Sequence, residues 1–429
     1  MTGHNIATSR AATLIKLAFA AGAKLSAAII AFVLTALVTR SMPVDEAGLF
    51  LLGFSIIAVL SVFFRLGLDN VILRFLSAHD INDYAQDKLN RGLLWIATIV
   101  VPSTALAMFF SEQIATYIFN KPAFGPVFFW MLLALPPMSI FMLFAMAFQA
   151  QHRVILTTAF QNLGISTLFV IAFGYLWHEQ PEVLNAVTAA KIFAGAAGIV
   201  LLAAIVTWFS QKNTSFTLTG YKDKELTSAS INLWVASNMS LITVWAGVLI
   251  AGAVVSAEEL ALMAAAQRTA TLTSFVLMVV NMVVAPRYAQ MWKKGDMAGI
   301  QRLAKWSTRG MIIMVTPVVM VMLLLPGHIM SLFGESYEMA GNLLAIMAVG
   351  QFVNVATGSV GYLLNMSGHE KHYRQITLIV GPLSIILALV LVNLFGVIGG
   401  AVAVSLSVGL QNILALFAVR KRLGFWPLQ

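Results

Sequence analysis

Long apolar runs broken by brief polar punctuation recur along the whole chain. Runs able to span a bilayer fall at roughly 14–38, 47–66, 92–111, 126–148, 154–176, 186–209, 229–252, 260–285, 308–330, 341–366, 375–394 and 397–419. Each meets the about 20 residues that a hydrocarbon core of ~30 Å demands of a helix. The pattern predicts an all-α polytopic membrane protein with about 12 transmembrane helices. The narrowest division is the gap from Asn393 to Val397. The longest connections, about 67–91, 210–228 and 286–307, leave no room for a folded domain outside the membrane.

Composition agrees with that pattern. Of 429 residues, 60% are hydrophobic and only 10% are charged, beyond what a soluble core of this size requires. The first run carries Lys24 midway and ends at Arg40 without a small-residue cleavage site, so it predicts a span and not a cleavable signal. Cysteine is absent, which excludes disulfides, thiolate catalysis and cysteine-ligated metal. The formal charge of +9 is a matter of topology. With the N-terminus inward, nineteen of the 26 Lys and Arg residues lie on the inner side, and only Arg40 and Lys121 lie outside. Five more, Lys16, Lys24, Arg65, Lys191 and Arg268, fall within or at the edge of spans. Such asymmetry predicts two cytoplasmic termini and needs no nucleic acid to explain it.

The two halves resemble each other. The segment 39–50 (TRSMPVDEAGLF) after the first run matches 252–263 (GAVVSAEELALM) after the seventh, at an offset of 213. The same offset pairs Arg74 with Arg287, and an offset of 215 pairs Pro102 with Pro317. Arg91-Gly92 and Arg309-Gly310 open the third and ninth runs, and His152 and His369 follow the fourth and tenth. These matches run in order at about half the chain length. They predict two six-helix lobes, 1–215 and 216–429, duplicated in parallel, an arrangement typical of transporters with a site between the halves.

Within the spans, the deep charges are all positive. A cation at the bilayer centre costs about 2.5–3.5 kcal/mol on insertion scales. No Asp or Glu lies deep enough to neutralise Lys24, Arg65 or Arg268, so a hydrated cavity that holds an anion is the expected compensation. Lys24 shares a face with Ala20, Ala28, Ala31 and Thr35 and sits roughly 15 Å from the cytoplasmic end, too deep to snorkel easily. Arg268 lies beside a polar stripe of Gln267, Thr271, Ser274 and Asn281, and polar groups repeated along a helix do not face lipid. Arg65 is four residues from Asp69, a spacing that permits either a local ion pair or a place at the inner mouth of a cavity. The seventh run places Trp234, Asn238, Leu241 and Trp245 on one face, where aromatics beside an amide suit sugar or amphipathic head groups. Lys16 and Lys191 are read as snorkelling, and Pro102, Pro136-Pro137, Pro317 and Pro382 as helix interruptions. Residues 396–400 (GVIGG) are a small-residue packing motif. No phosphate-binding loop, nucleophile elbow or zinc helix motif occurs, so the expectation is a transporter without a cofactor and not an enzyme.

Twelve helices, the duplication, the loop 40–50 (RSMPVDEAGLF) and Arg65-Leu-Gly-Leu-Asp69 followed by Arg74 resemble bacterial polysaccharide flippases of the Wzx type. These belong to the multidrug/oligosaccharidyl-lipid/polysaccharide exporter superfamily. The resemblance implies a V-shaped cavity between lobes, lined by helices one, two, seven and eight. It implies an undecaprenyl-diphosphate-linked oligosaccharide as cargo, an O-antigen, capsule or exopolysaccharide unit turned from the cytoplasmic to the periplasmic leaflet of the inner membrane. A polysaccharide polymerase and chain-length proteins are its implied partners. The residues expected to bind substrate are Lys24, Arg65, Arg268, Gln267, Thr271, Asn238 and Trp245. Three alternatives stand beside it. A cation-coupled multidrug exporter of the superfamily usually has an acidic residue within its lobes, which is missing here. A membrane-embedded polymerase or glycosyltransferase normally needs larger loops. Peptidoglycan-precursor flippases carry two further helices, for which this chain has no room.

Overall fold

The computed structural model describes residues 3–78, 83–151, 153–211 and 223–428. The expected lobe boundary at 215/216 lies outside the described residues, as do His152, Lys212 and Lys222 and the side chains of Lys16, Arg74 and Asn232. The first lobe contains α1 (Gly3–Ser41), α2 (Val44–Phe64), α3 (Leu68–Ala78), α4 (Asp83–Phe109), α5 (Phe124–Leu133), α6 (Leu135–Ala150), α7 (Gly164–Glu179) and α8 (Ala186–Phe209). The second contains α9 (Lys224–Val254), α10 (Ala257–Thr271), α11 (Ser274–Lys293), α12 (Met297–Leu324), α13 (Gly341–Ala356), α14 (Val360–Met366) and α15 (Glu370–Leu423).

Among the described residues, eleven stretches are long and apolar enough to cross a membrane. The last, α15, has 54 residues, which at helical rise is about 80 Å, far more than a bilayer. It is two crossings. Gly396 breaks it with φ 58° and ψ −136°, and a Cβ added at Gly399 would run into the Leu391 carbonyl, so the chain doubles back there. The twelve expected crossings are therefore present, and the glycines of 396–400 make the turn as well as the packing. Large apolar side chains cover the outside, with Leu106, Phe109, Ile171, Leu202, Ile313 and Leu324 exposed, as a lipid-facing surface requires.

Three expectations are corrected in detail. The ninth helix runs from Met297 to Leu324 and not over 308–330. Asp296 caps it by accepting a hydrogen bond from Gly299 N–H at 2.8 Å, and Pro326 starts a separate short helix beyond it. The second helix stops at Phe64, where Leu66 (φ 54°) and Gly67 (φ 72°) turn the chain into α3. The eighth is not one continuous helix, because α10 ends at Thr271 and α11 begins at Ser274.

The lobes meet at both ends of the bundle. At one end α2 and α10 pack so closely that a Cβ on Gly48 would collide with the Ala257 carbonyl. Lys121 seals that end by donating to the carbonyls of Gly252 (2.8 Å) and Val255 (2.6 Å). At the other end Trp234 Nε1 donates to Phe63 O (2.7 Å), and Lys88 pairs with Asp223 at 2.6 Å. A chamber remains between these two seams.

Candidate functional site, a chamber between the lobes

The chamber wall is set by where α10 begins. Ser256 and Glu259 form a reciprocal capping box, each side chain bonding the other's backbone N–H at 3.1 Å. Arg268 follows twelve residues later, about 18 Å along the axis and so near the middle of a bilayer. There the helix stops. Leu272 N–H and Thr273 N–H fall back to Thr269 O and Ala270 O, while the hydroxyls of Thr269, Thr271 and Thr273 bond carbonyls of the last turns. Threonine hydroxyls that bond back to carbonyls of their own helix weaken and bend it, and they satisfy themselves at membrane depth. The break also places Arg268 in the last turn of α10, where the helix dipole favours a cation.

A cavity of about 290 Å³ opens around it. Helix α1 contributes Ala28, Ala31 and Phe32, and α2 contributes Phe54 and Ser55. Val244 and Trp245 come from α9; Gln267, Arg268 and Thr271 come from α10. Arg268 reaches across to the other lobe. Its Nη1 donates to Thr35 Oγ1 at 2.9 Å, and its guanidinium lies 4.0 Å from the centre of the Phe54 ring. Its Nη2 is buried without a partner, as is Gln267 Oε1, while Gln267 Nε2 donates to Val244 O at 2.9 Å. No carboxylate lines the chamber among the described residues. Two residues that line this mostly apolar chamber thus keep an unmet donor and an unmet acceptor, and a ligand bearing both anionic and hydroxyl oxygens could satisfy them.

The structure brings Gln267, Arg268, Thr271 and Trp245 together on this chamber. Lys24 does not line it. It sits half-buried one turn before Ala28, on the same α1 stripe, without a hydrogen-bond or ion-pair partner among the described residues. Arg65 lies at the α2–α3 turn, paired with Asp69 at 3.6 Å, the local ion pair that its spacing permits. Asn238 is buried and donates to Trp234 O in its own helix at 2.7 Å. The expected polar stripe of the eighth helix divides at the break. Ser274 donates to Gln351 Oε1 (2.6 Å), in a cluster with Asn354 inside the second lobe. Phe54, like Phe32, Ser55 and Val244, lines the site without having been expected from the sequence. Its only signal was that α2 was a candidate wall, since a ring that faces an arginine looks like any core phenylalanine.

The fold and its chamber define a membrane transporter built of two helical lobes. The chain belongs to the family described as polysaccharide biosynthesis protein, whose model matches residues 15–292. A second model, MatE, matches residues 236–390. The probable low-salt glycan biosynthesis flippase Agl15 of Haloferax volcanii is 26% identical over 231 residues, 52% of this chain and 48% of that protein. The chain thus spans about half the length of that curated relative. Among solved structures, an inward-facing multidrug resistance MATE family transporter of the MOP superfamily superposes with a TM-score of 0.77 at 13% identity, covering 94% of this chain and 98% of that one. The lipid II flippase MurJ in an inward closed conformation also gives 0.77, at 12% identity, covering 94% and 87%. A MOP superfamily transporter from Pyrococcus furiosus, described as having a binding pocket of reversed polarity, gives 0.65 at 12% identity, with 96% and 95% covered.

Proposed function

We propose that the protein is a flippase for an undecaprenyl-diphosphate-linked oligosaccharide, moving it from the cytoplasmic to the periplasmic leaflet of a bacterial inner membrane by alternating access. Both termini face the cytoplasm in this reading, and polymerase and chain-length proteins take up the product. The observation that carries it is Arg268, a cation held at the break of α10 that lines the inter-lobe chamber and whose Nη2 is buried and unmet. A phosphate oxygen is the acceptor best suited to a guanidinium edge. Gln267 Oε1 beside it is placed for a hydroxyl. The multidrug-exporter reading draws on the MatE match and the multidrug transporter among the neighbours. A chamber without a lining carboxylate favours an anionic cargo over a cationic drug.

Arg268→Ala should abolish glycan export at near-normal protein abundance, with lipid-linked oligosaccharide accumulating in the cells. Arg268→Lys should retain part of the activity, because the charge survives and the planar fork does not. Normal export by Arg268→Ala would remove the site from the proposal.

A further inference from the structure

We propose that a second cavity, inside the second lobe, is a carbohydrate-binding vestibule that receives the glycan while Arg268 holds the diphosphate. The inference rests on the flippase reading and assigns the parts of its cargo to places. The vestibule measures about 700 Å³, against about 290 Å³ for the Arg268 chamber. Ligand pockets run from about 300 to 1,000 Å³. The chamber therefore suits a head group, and the larger part of a glycolipid needs the larger space. Val244 and Trp245 line both cavities, so the two lie on either side of one short stretch of α9, close enough for the two parts of one ligand.

The walls are two helix stripes. On α9, Ser237, Ser240 and Trp245 recur at near-helical spacing; on α15, Glu370, Tyr373, Arg374 and Thr377 follow at three, four and seven. Asn365 of α14 completes the rim. Tyr373 is a fixed platform, since its hydroxyl accepts from Gln411 Nε2 at 3.0 Å and Gly361 lies directly against the ring. Hydroxyls, an amide, two aromatic rings and one charge of each sign share the lining with Leu233, Leu241 and Val244, so it is largely apolar and neutral overall. A lipid tail would match the apolar part of that lining but would leave Ser237, Ser240, Asn365 and the two charges without a ligand partner. A bare anion would meet Glu370. A sugar offers hydroxyls that both donate and accept, and C–H faces that pack on Tyr and Trp.

The test compares two lipids on purified protein: undecaprenyl diphosphate, and the lipid-linked oligosaccharide extracted from cells lacking this gene. Ser240→Phe fills the vestibule, and the combined Ser237→Ala, Ser240→Ala and Asn365→Ala variant strips its polar groups without adding bulk. Each should weaken binding of the glycan-bearing lipid, about tenfold for Ser240→Phe and several-fold for the triple variant. Undecaprenyl diphosphate should stay within twofold of wild type in both. Arg268→Ala should weaken both lipids. Vestibule variants that weaken neither lipid, or both lipids alike, overturn the glycan site. The flippase reading survives that result if Arg268→Ala still weakens both lipids, and falls with it if Arg268→Ala weakens neither.

Discussion

Asp223→Asn isolates the ion pair that closes the lobes at one end. Asp223 has two tasks: its Oδ1 caps α9 by accepting from Leu226 N–H at 3.0 Å, and its Oδ2 pairs with Lys88 at 2.6 Å. Asparagine caps helices as well as aspartate does, so the substitution removes the charge and keeps the helix start. Both side chains are mostly buried, at 6% and 9% exposure, but the pair sits at the end of the bundle. An exposed pair is worth at most about 1 kcal/mol. Breaking a fully buried one costs about 3–5 kcal/mol, much of it from the stranded partner. A value near 2 kcal/mol is the reasonable middle, which moves a closed-to-open equilibrium about 30-fold. Because the chain has no cysteine, Ser55→Cys gives a single thiol on α2, buried at the chamber wall. Its alkylation rate by a maleimide reports opening. Adding Asp223→Asn should raise that rate about 10–30-fold. Acid should not mimic the mutation above pH 5. Burial alone raises the Asp223 pKa, but bonds from Leu226 N–H and Lys88 and the charges of Lys88 and Arg91 outweigh it and hold the group below its ordinary 3.8. A carboxyl so depressed stabilises the fold above its unfolded value and loses that contribution only as pH falls through the folded one. An alkylation rate unchanged within twofold in Asp223→Asn would refute the latch.

Three further outcomes are expected. Lys24→Glu should impair glycan export more than Lys24→Ala at matched expression, because a carboxylate repels the diphosphate whereas alanine merely fails to attract it; equal activity would assign Lys24 to lipid or to a neighbouring helix. Gly48→Val forces a side chain into the Ala257 carbonyl, so overpacking of about 1–3 kcal/mol should lower the melting temperature in detergent, and an unchanged value would mean that α2 and α10 do not pack this closely. Reporter fusions after Asn120, Glu179, Ser256 and Gly334 should read periplasmic and those after Gln151, Gln211 and Lys294 cytoplasmic, with two or more reversals in one half defeating the topology.

What the chain disclosed in advance follows from which interactions are local. Span positions follow from apolar run length alone, so twelve crossings were legible, down to the turn at Gly396 inside a single 54-residue stretch. The break of the eighth helix was not. No Gly or Pro marks Leu272 and Thr273, and three threonine hydroxyls bonding back to carbonyls provide what proline usually signals. Arg65 and Asp69 could be paired from spacing, because their bond stays within four residues. Arg268 could not be completed that way: its partners Thr35 and Phe54 are more than two hundred residues distant and neither carries charge. From sequence alone, a buried cation without a carboxylate calls for an anionic ligand. The structure weakens that premise, since a hydroxyl, a ring face and a helix C-terminus already compensate much of the charge. One atom is still left without a partner. A charged hydrogen bond is worth about 1.5–3 kcal/mol, so leaving Nη2 buried and unmet forfeits that much in the empty chamber. In the proposed flippase reading an oxygen of the diphosphate restores it, and that difference, not the bare count of positive charges in the spans, is the physical case for proposing an anion at this site.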